Sequence, residues 1–189
     1  MVTSAHRVRY TYAQYRALEA ASNVKHEFLD GQIFAMAGGS REHAALAAAV
    51  VGLIYGQLMR GPCRAHSSDL RVRIPGTGLA TYPDVTIVCG EPRVDEDDPQ
   101  AVTNPTLVVE VLSDSTAEYD RGEKFDHYKT LGSLQQYVLV SQGTKDVVVF
   151  TRGSSGWTEA RHGAGDDVHL SSVSATLNVD DLYAGAEPG

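Results

Sequence analysis

Apolar positions recur at two different periods along the chain, and the alternation between them predicts the order of elements. Tyr12, Tyr15 and Leu18 fall on one side of a helix over Tyr12 to Ala21, with Thr11 placed to cap it. In the following HEFLDGQIFAMA, two short apolar runs flank Asp30-Gly31, a dipeptide that tolerates positive φ and so predicts a two-residue hairpin turn. Ser40 is placed to cap a second, Ala-rich helix from about Arg41 to Met59, with His43 in its first turn. Cys63 to Ile74 contains the alternating DLRVRI: Leu70, Val72 and Ile74 share one face, and Asp69, Arg71 and Arg73 the other, as in a half-exposed strand. Pro75-Gly76-Thr77-Gly78 forms a turn into YPDVTIVC, Tyr82 to Cys89, which reads as the second strand of a hairpin.

The run TLVVEVL, Thr106 to Leu112, carries large apolar or β-branched residues on both faces and predicts a buried central strand. Ser113, Asp114, Ser115 and Thr116 offer N-caps for a helix from about Ala117 to Leu131, stopped by Gly132, and Tyr137 to Ser141 reads as another strand. Strand, helix and strand in that order make a crossover unit. Lys145 to Arg152 and Gly156 to His162 read as further antiparallel strands, and the tail from Asp180 as at most a short helix. The pattern is α/β: a mixed central β-sheet flanked by helices, preceded by an N-terminal helix and β-hairpin. A length of 189 residues fits one domain, residues 1–189, with its core over about 10–152.

Composition narrows this picture. The net charge of -8 supplies no global basic field of the kind that drives non-specific nucleic-acid binding, and half of it comes from the acidic run Glu91 to Asp98, read with its Pro-containing surroundings as a solvated loop. Cys63 and Cys89 form no CxxC pair, so the spacing indicates neither a zinc knuckle nor a disulfide framework, and a reducing cytoplasm fits. The N-terminus lacks a signal-peptide h-region, and the most apolar segment, Ala44 to Gly56, falls short of the roughly 20 residues of a membrane span. A soluble cytoplasmic protein without membrane contact is the expectation.

Glu110 is the anomaly, because an ionised carboxylate on a buried strand costs several kcal/mol unless a cation or strong donors compensate it. Asp84 lies near the middle of an adjacent-looking strand. If both carboxylates face one side, they make a hard-oxygen site suited to a divalent cation such as magnesium, which lowers the pKa of water and stabilises charge on a phosphoryl group. A lysine close by can orient the nucleophile or neutralise the transition state.

Pro83-Asp84 followed by Glu110-Val111-Leu112 resembles the PD and (D/E)xK elements of the PD-(D/E)XK nuclease superfamily. The ordered string HEFLDGQI, YPDVTIV, LVVEVLSDSTAEYDRGEKFDHYK and QQYVLV, across most of residues 10–150, is similar to the Uma-two family of restriction endonucleases. The resemblance implies a restriction-endonuclease-like core and a metal-dependent endonuclease that hydrolyses phosphodiester bonds in nucleic acid, DNA first. It implies Mg2+ or Mn2+ held by Asp84, Glu110 and the Val111 carbonyl, a contribution from Glu27, and a homodimer. The motif lysine would stand where this chain has Leu112; in the resembled family it comes from the following helix, which maps onto Lys124.

Plainer readings stand beside these. Asp84 can satisfy backbone donors at a strand entrance, and Glu110 can pair with Arg71, Arg73 or Arg121 in a structural network. Lys124 on a helix can be surface, Glu27 can be an exposed residue before the hairpin, and His43 can pack or can meet a phosphate or partner. Asp69 beside two arginines reads as surface charge, and Tyr128 as packing. The alternatives in function are a non-catalytic binding or assembly module with the nuclease fold, and a hydrolase of small phosphorylated compounds.

Overall fold

The structure, a computed structural model, describes residues 8–36 and 38–186. Helix α1 is Tyr12–Ala21. Its start is closed by a reciprocal cap: the Thr11 hydroxyl accepts from the Gln14 amide at 3.2 Å, and the Gln14 side chain accepts from the Thr11 amide at 2.8 Å. Strands β1 (His26–Leu29) and β2 (Gln32–Ala35) pair around Asp30-Gly31, whose φ values of 48° and 76° are those of the predicted tight turn. Helix α2 (Arg41–Leu58) begins under the Ser40 hydroxyl, which accepts from the His43 amide at 3.1 Å. The chain continues through β3 (Cys63–Ser67), β4 (Arg71–Ile74), β5 (Leu79–Thr81), β6 (Val85–Cys89), β7 (Ala101–Val102) and β8 (Leu107–Leu112). Two short helices follow, α3 (Ala117–Arg121) and α4 (Glu123–Lys129), then β9 (Gln136–Ser141), β10 (Val147–Gly153), β11 (Gly156–His162), β12 (Asp167–Leu170), β13 (Ala175–Asn178) and α5 (Val179–Tyr183).

The larger sheet runs β11-β10-β9-β8-β6-β3, and a five-stranded sheet runs β2-β1-β5-β4-β7. Strands β8 and β9 are parallel, Glu110 opposite Leu139, as a crossover through α3 and α4 requires; their other neighbours in the larger sheet are antiparallel. Alternation on the central strands builds two cores. Val85, Ile87, Val109 and Val111 join Leu46, Val50, Ile54 and Leu58 of α2, a stripe at helical spacing whose full burial is worth about 1.5–3 kcal/mol per side chain. Val88, Val108, Leu112 and Leu139 join Phe125, Tyr128 and Tyr137, with Phe125 stacked on Tyr137 at 4.7 Å. Strands β12 and β13 form a separate two-stranded sheet and, with α5, complete the α2 side.

Several expectations are corrected. Cys63 to Ile74 is two strands split at Ser67–Leu70: β3 enters the larger sheet and β4 the smaller. The hairpin partner of β4 is β5, while β6 crosses to pair with β3 and β8. Arg71 is buried, not half-exposed: its guanidinium donates to the Tyr82 hydroxyl at 2.8 and 2.6 Å and pairs with Asp98. The loop before β8 is accordingly not wholly solvated, since Asp98 is buried between Arg71 and the Tyr12 hydroxyl and Ala101–Val102 adds a parallel strand to β4. The single helix expected over Ala117 to Leu131 is broken at Gly122, with φ -108° and ψ -100°. Finally, the β3–β6 register sets Cys63 opposite Cys89, and the two form a disulfide. Cysteine usage therefore no longer argues for a reducing compartment.

Candidate active site

Antiparallel pairing places Val85 opposite Val109 and Thr86 opposite Val108. That register ends one residue short of Asp84, which stands in the bend before β6, near enough to Glu110 to help raise its pKa. Asp84 stands at the entrance of β6, not in mid-strand as expected, and its Oδ2 accepts from the Val111 amide at 2.7 Å. The plain reading of Asp84 as a backbone acceptor is thus part of the geometry. It also ties the aspartate to the residue after Glu110.

Glu110 is 3 % exposed on β8, and its partner is Lys124, not Arg71, Arg73 or Arg121. Lys124 is buried on α4, with Nζ 2.9 Å from Glu110 Oε1, 3.3 Å from Glu27 Oε1 and 3.3 Å from Asp120 Oδ1. Helix α4 begins at Glu123, one residue before Lys124, after the break at Gly122, where a Cβ would lie 3.2 Å from the Glu118 carbonyl oxygen. Glu27 arrives from β1 of the other sheet, where its Oε1 accepts from the Thr81 hydroxyl of β5. Tyr128, the third residue of the Asp120, Lys124, Tyr128 helical side, donates its hydroxyl to Glu110 Oε1 at 3.2 Å.

One ammonium cannot balance three carboxylates, and the excess falls on the deepest. Burial raises the Glu110 pKa, Lys124 pulls it down, Asp120 and Asp84 push it up again, and the net result is about 8. For Lys124 burial acts to lower the pKa, but Glu110, Glu27, Tyr128 and Asp120 outweigh it and hold the ammonium well above its ordinary value. Tyr119, whose ring lies 5.9 Å from Lys124 Nζ, is raised by burial first and then by Glu27.

His43, set aside in the sequence, reaches the same place. Its Nε2 lies 3.3 Å from Asp84 Oδ2, and the contact with Asp84, outweighing burial, raises its pKa. Asp69 is where its sequence surroundings put it, on the surface, paired with Lys25 at 2.7 Å. Asp120 is the acid that sequence reasoning passed over as a site residue. Its only signal was the i,i+4 spacing to Lys124; Thr81 carried none.

Among the described residues no three His, Cys, Asp and Glu side chains are gathered into a ready cation cage. The donor chemistry nonetheless fits a divalent cation. Asp84, Glu110 and the Val111 carbonyl are hard oxygens in an acid-rich cluster, and Asp84 is tied by a hydrogen bond to the amide of the residue after Glu110.

Sheet order, the β8–α–β9 crossover and the acid–lysine cluster at the strand ends define a restriction-endonuclease-like α/β protein. The chain belongs to the Uma2 family, described as "Putative restriction endonuclease", which it matches over residues 12–180. Two uncharacterised proteins of Synechocystis sp. are similar to it: slr1290 is 39% identical over 173 residues, 91% of this chain and 90% of that protein, and sll1609 is 36% identical over 132 residues, 70% and 75%. A crystal structure from Anabaena variabilis, described as "a putative nuclease belonging to DUF820", shares the fold with a TM-score of 0.68 at 16% identity, over 87% of this chain and 93% of that one. No helix among the described residues is long and apolar enough to cross a membrane.

Proposed function

We propose that the chain is a divalent-cation-dependent endonuclease that hydrolyses phosphodiester bonds in nucleic acid, with DNA as the first substrate to test. The observation that carries this reading is the buried Lys124, held by Glu110, Glu27 and Asp120 beside the Asp84–Val111 pair. Asp84, Glu110 and the Val111 carbonyl would hold Mg2+ or Mn2+. A cation there supplies charge neutralisation at the phosphoryl group and a more acidic water. Lys124 takes the place of the motif lysine that Leu112 does not provide; its ammonium hydrogen-bonds the attacking water or the phosphoryl oxygen on which charge develops. Glu27 and Asp120 fix that ammonium. The water oxygen bonds to phosphorus as the phosphorus–oxygen bond to one nucleoside breaks, and the leaving oxygen takes up a proton.

The reading includes a homodimer. Tyr55 on α2 and Met59 just beyond its end are exposed, next to β3 at the edge of the larger sheet, and sedimentation velocity measures whether two chains associate. For activity, DNA and RNA are incubated with the full chain and Mg2+ or Mn2+. Cleavage that is lost in Asp84→Ala and Lys124→Ala supports the mechanism; cleavage unchanged in both overturns it. A wild-type chain that binds neither cation at millimolar concentration is a non-catalytic module with the nuclease fold.

A further inference from the structure

The hairpin that delivers Glu27 carries two phenylalanines, and their surroundings differ. Phe28 lies on the α1 side, 6 % exposed, and packs on Tyr12 and Tyr15 with ring centroids 5.5 and 5.2 Å away. Phe34 of β2 is paired directly with Glu27 in the β1–β2 ladder, so its side chain stands on the face that Glu27 presents to Lys124. It is 47 % exposed on the terminal strand of its sheet and belongs to none of the hydrophobic clusters among the described residues. A second aromatic approaches from α3. Tyr119 is partly buried, its ring 5.9 Å from Lys124 Nζ, and its hydroxyl has no hydrogen-bond partner among the described residues. Of the charges around that hydroxyl, Glu27 acts on it most strongly, ahead of Lys124. Two rings from different elements therefore lie beside Glu27 and Lys124, one of them open to solvent. An exposed phenylalanine alone is ordinary on a protein surface, but one paired with the residue that fixes the buried lysine has a place in the site.

Resting on the nuclease reading above, we propose that Phe34, with Tyr119 beside the same cluster, is a stacking platform for an unpaired nucleobase next to the scissile phosphate, so that the substrate class is single-stranded or locally unpaired nucleic acid. Charge favours this occupant. Duplex DNA is held mainly by neutralising many phosphates with lysines and arginines, whereas this chain has a net charge of -8 and three carboxyl groups around its buried lysine. Stacking on an aromatic ring gains affinity without neutralisation and accepts any base, but it needs a base face that duplex neighbours do not already cover. Adjacent strands lie about 4.8 Å apart, so a nucleotide whose base rests on Phe34 presents its own backbone to the Lys124 cluster.

Two readouts on the full chain test this. Cleavage with Mg2+ or Mn2+ is compared on a single-stranded oligonucleotide and on the fully paired duplex of the same sequence. Binding with Ca2+ is followed by the fluorescence of 2-aminopurine, a base analogue quenched by stacking, placed in the single strand. The wild type should quench the probe and prefer the single strand by at least about 10-fold in kcat/KM, the scale of one base–aromatic stack. Phe34→Leu keeps an apolar side chain without a ring; it should lose the quenching and raise KM and Kd for the single strand on the order of 10-fold, with kcat nearly unchanged. Phe34→Trp should restore both, Tyr119→Leu should weaken both, and circular dichroism confirms that each variant is folded. Equal kcat/KM on single strand and duplex, or a Phe34→Leu chain that behaves as wild type, overturns the platform and leaves the nuclease reading standing. Loss of a dimer in Phe34→Leu by sedimentation velocity, with single-strand cleavage unchanged, assigns the ring to a subunit contact and also overturns it. Quenched binding that depends on Phe34, with no cleavage under either cation, overturns the nuclease reading and leaves the platform. Neither binding nor cleavage overturns both.

Discussion

Lys124→Met removes one ammonium and keeps most of the buried stem. The ammonium has three carboxylate oxygens within 2.9 to 3.3 Å, and the residue is 4 % exposed. At an effective dielectric near 20 a contact with an ionised partner amounts to on the order of 5 kcal/mol before desolvation, so the gross attraction is large and the net is set by what the carboxyl groups do when it is gone. Removing one partner of a buried pair costs about 3–5 kcal/mol. Glu110, whose pKa is already about 8, stays protonated at pH 7 without the lysine, so the loss falls on Glu27 and Asp120. That places the expected cost at the lower end, about 3 kcal/mol. Urea unfolding followed by circular dichroism at pH 7, with no added metal, measures it, and an unchanged slope confirms that the unfolding unit is the same. Glu110→Gln is the matched control: a neutral amide in place of a neutral carboxyl can still accept from Lys124 and Tyr128, so stability at pH 7 should change by less than about 1 kcal/mol. A loss below about 1 kcal/mol in Lys124→Met, the scale of an exposed pair, would refute the view that this ammonium is the buried charge holding the cluster together.

Other outcomes follow from the same physics. Asp98→Ala strands the buried Arg71 guanidinium and should cost about 3–5 kcal/mol in urea unfolding at pH 7. Burial opposes ionisation of Asp98, but Tyr12 and Arg71 outweigh it and hold the pKa below 3.8; its stabilisation is therefore full above that value and is lost as pH falls through the lower, folded one, so the gap between wild type and Asp98→Ala should close in acid. Tyr128→Phe deletes a buried donor to Glu110 and should cost about 1 kcal/mol by the same assay. Ile54→Ala, beneath α2, should cost about 2–5 kcal/mol, and calorimetry should find cation affinity unchanged because the cavity lies in the hydrophobic core.

Local chemistry made much of the fold legible. Thr11 and Ser40 capped the helices they were placed to cap, Asp30-Gly31 turned the hairpin, and the strand with apolar residues on both faces was the buried β8 beside parallel β9. Glu110 was conspicuous for a similar reason: a carboxylate inside an apolar run is visible without coordinates. What failed was partner choice. DLRVRI alternated faithfully, but alternation says which residues share a face and not whether water or Asp98 waits beyond it, so Arg71 was misplaced. Likewise, Pro75 to Gly78 announced a turn while leaving open whether β5 or β6 followed it back.

Sequence alone therefore determined the helix starts, the hairpin turn, the one-sided placement of apolar residues and the presence of an acid in the core, because caps, turn dihedrals and side-chain periods act within a few residues. Tertiary structure decided which charges meet. The Asp84–Val111 hydrogen bond, the pairing of Lys124 with Glu110, the approach of Glu27 from a second sheet, the pairing of Cys63 with Cys89 and the reach of His43 to Asp84 all join residues distant in the chain. Such contacts depend on how whole sheets pack, and desolvation gives them their strength only after that packing has formed.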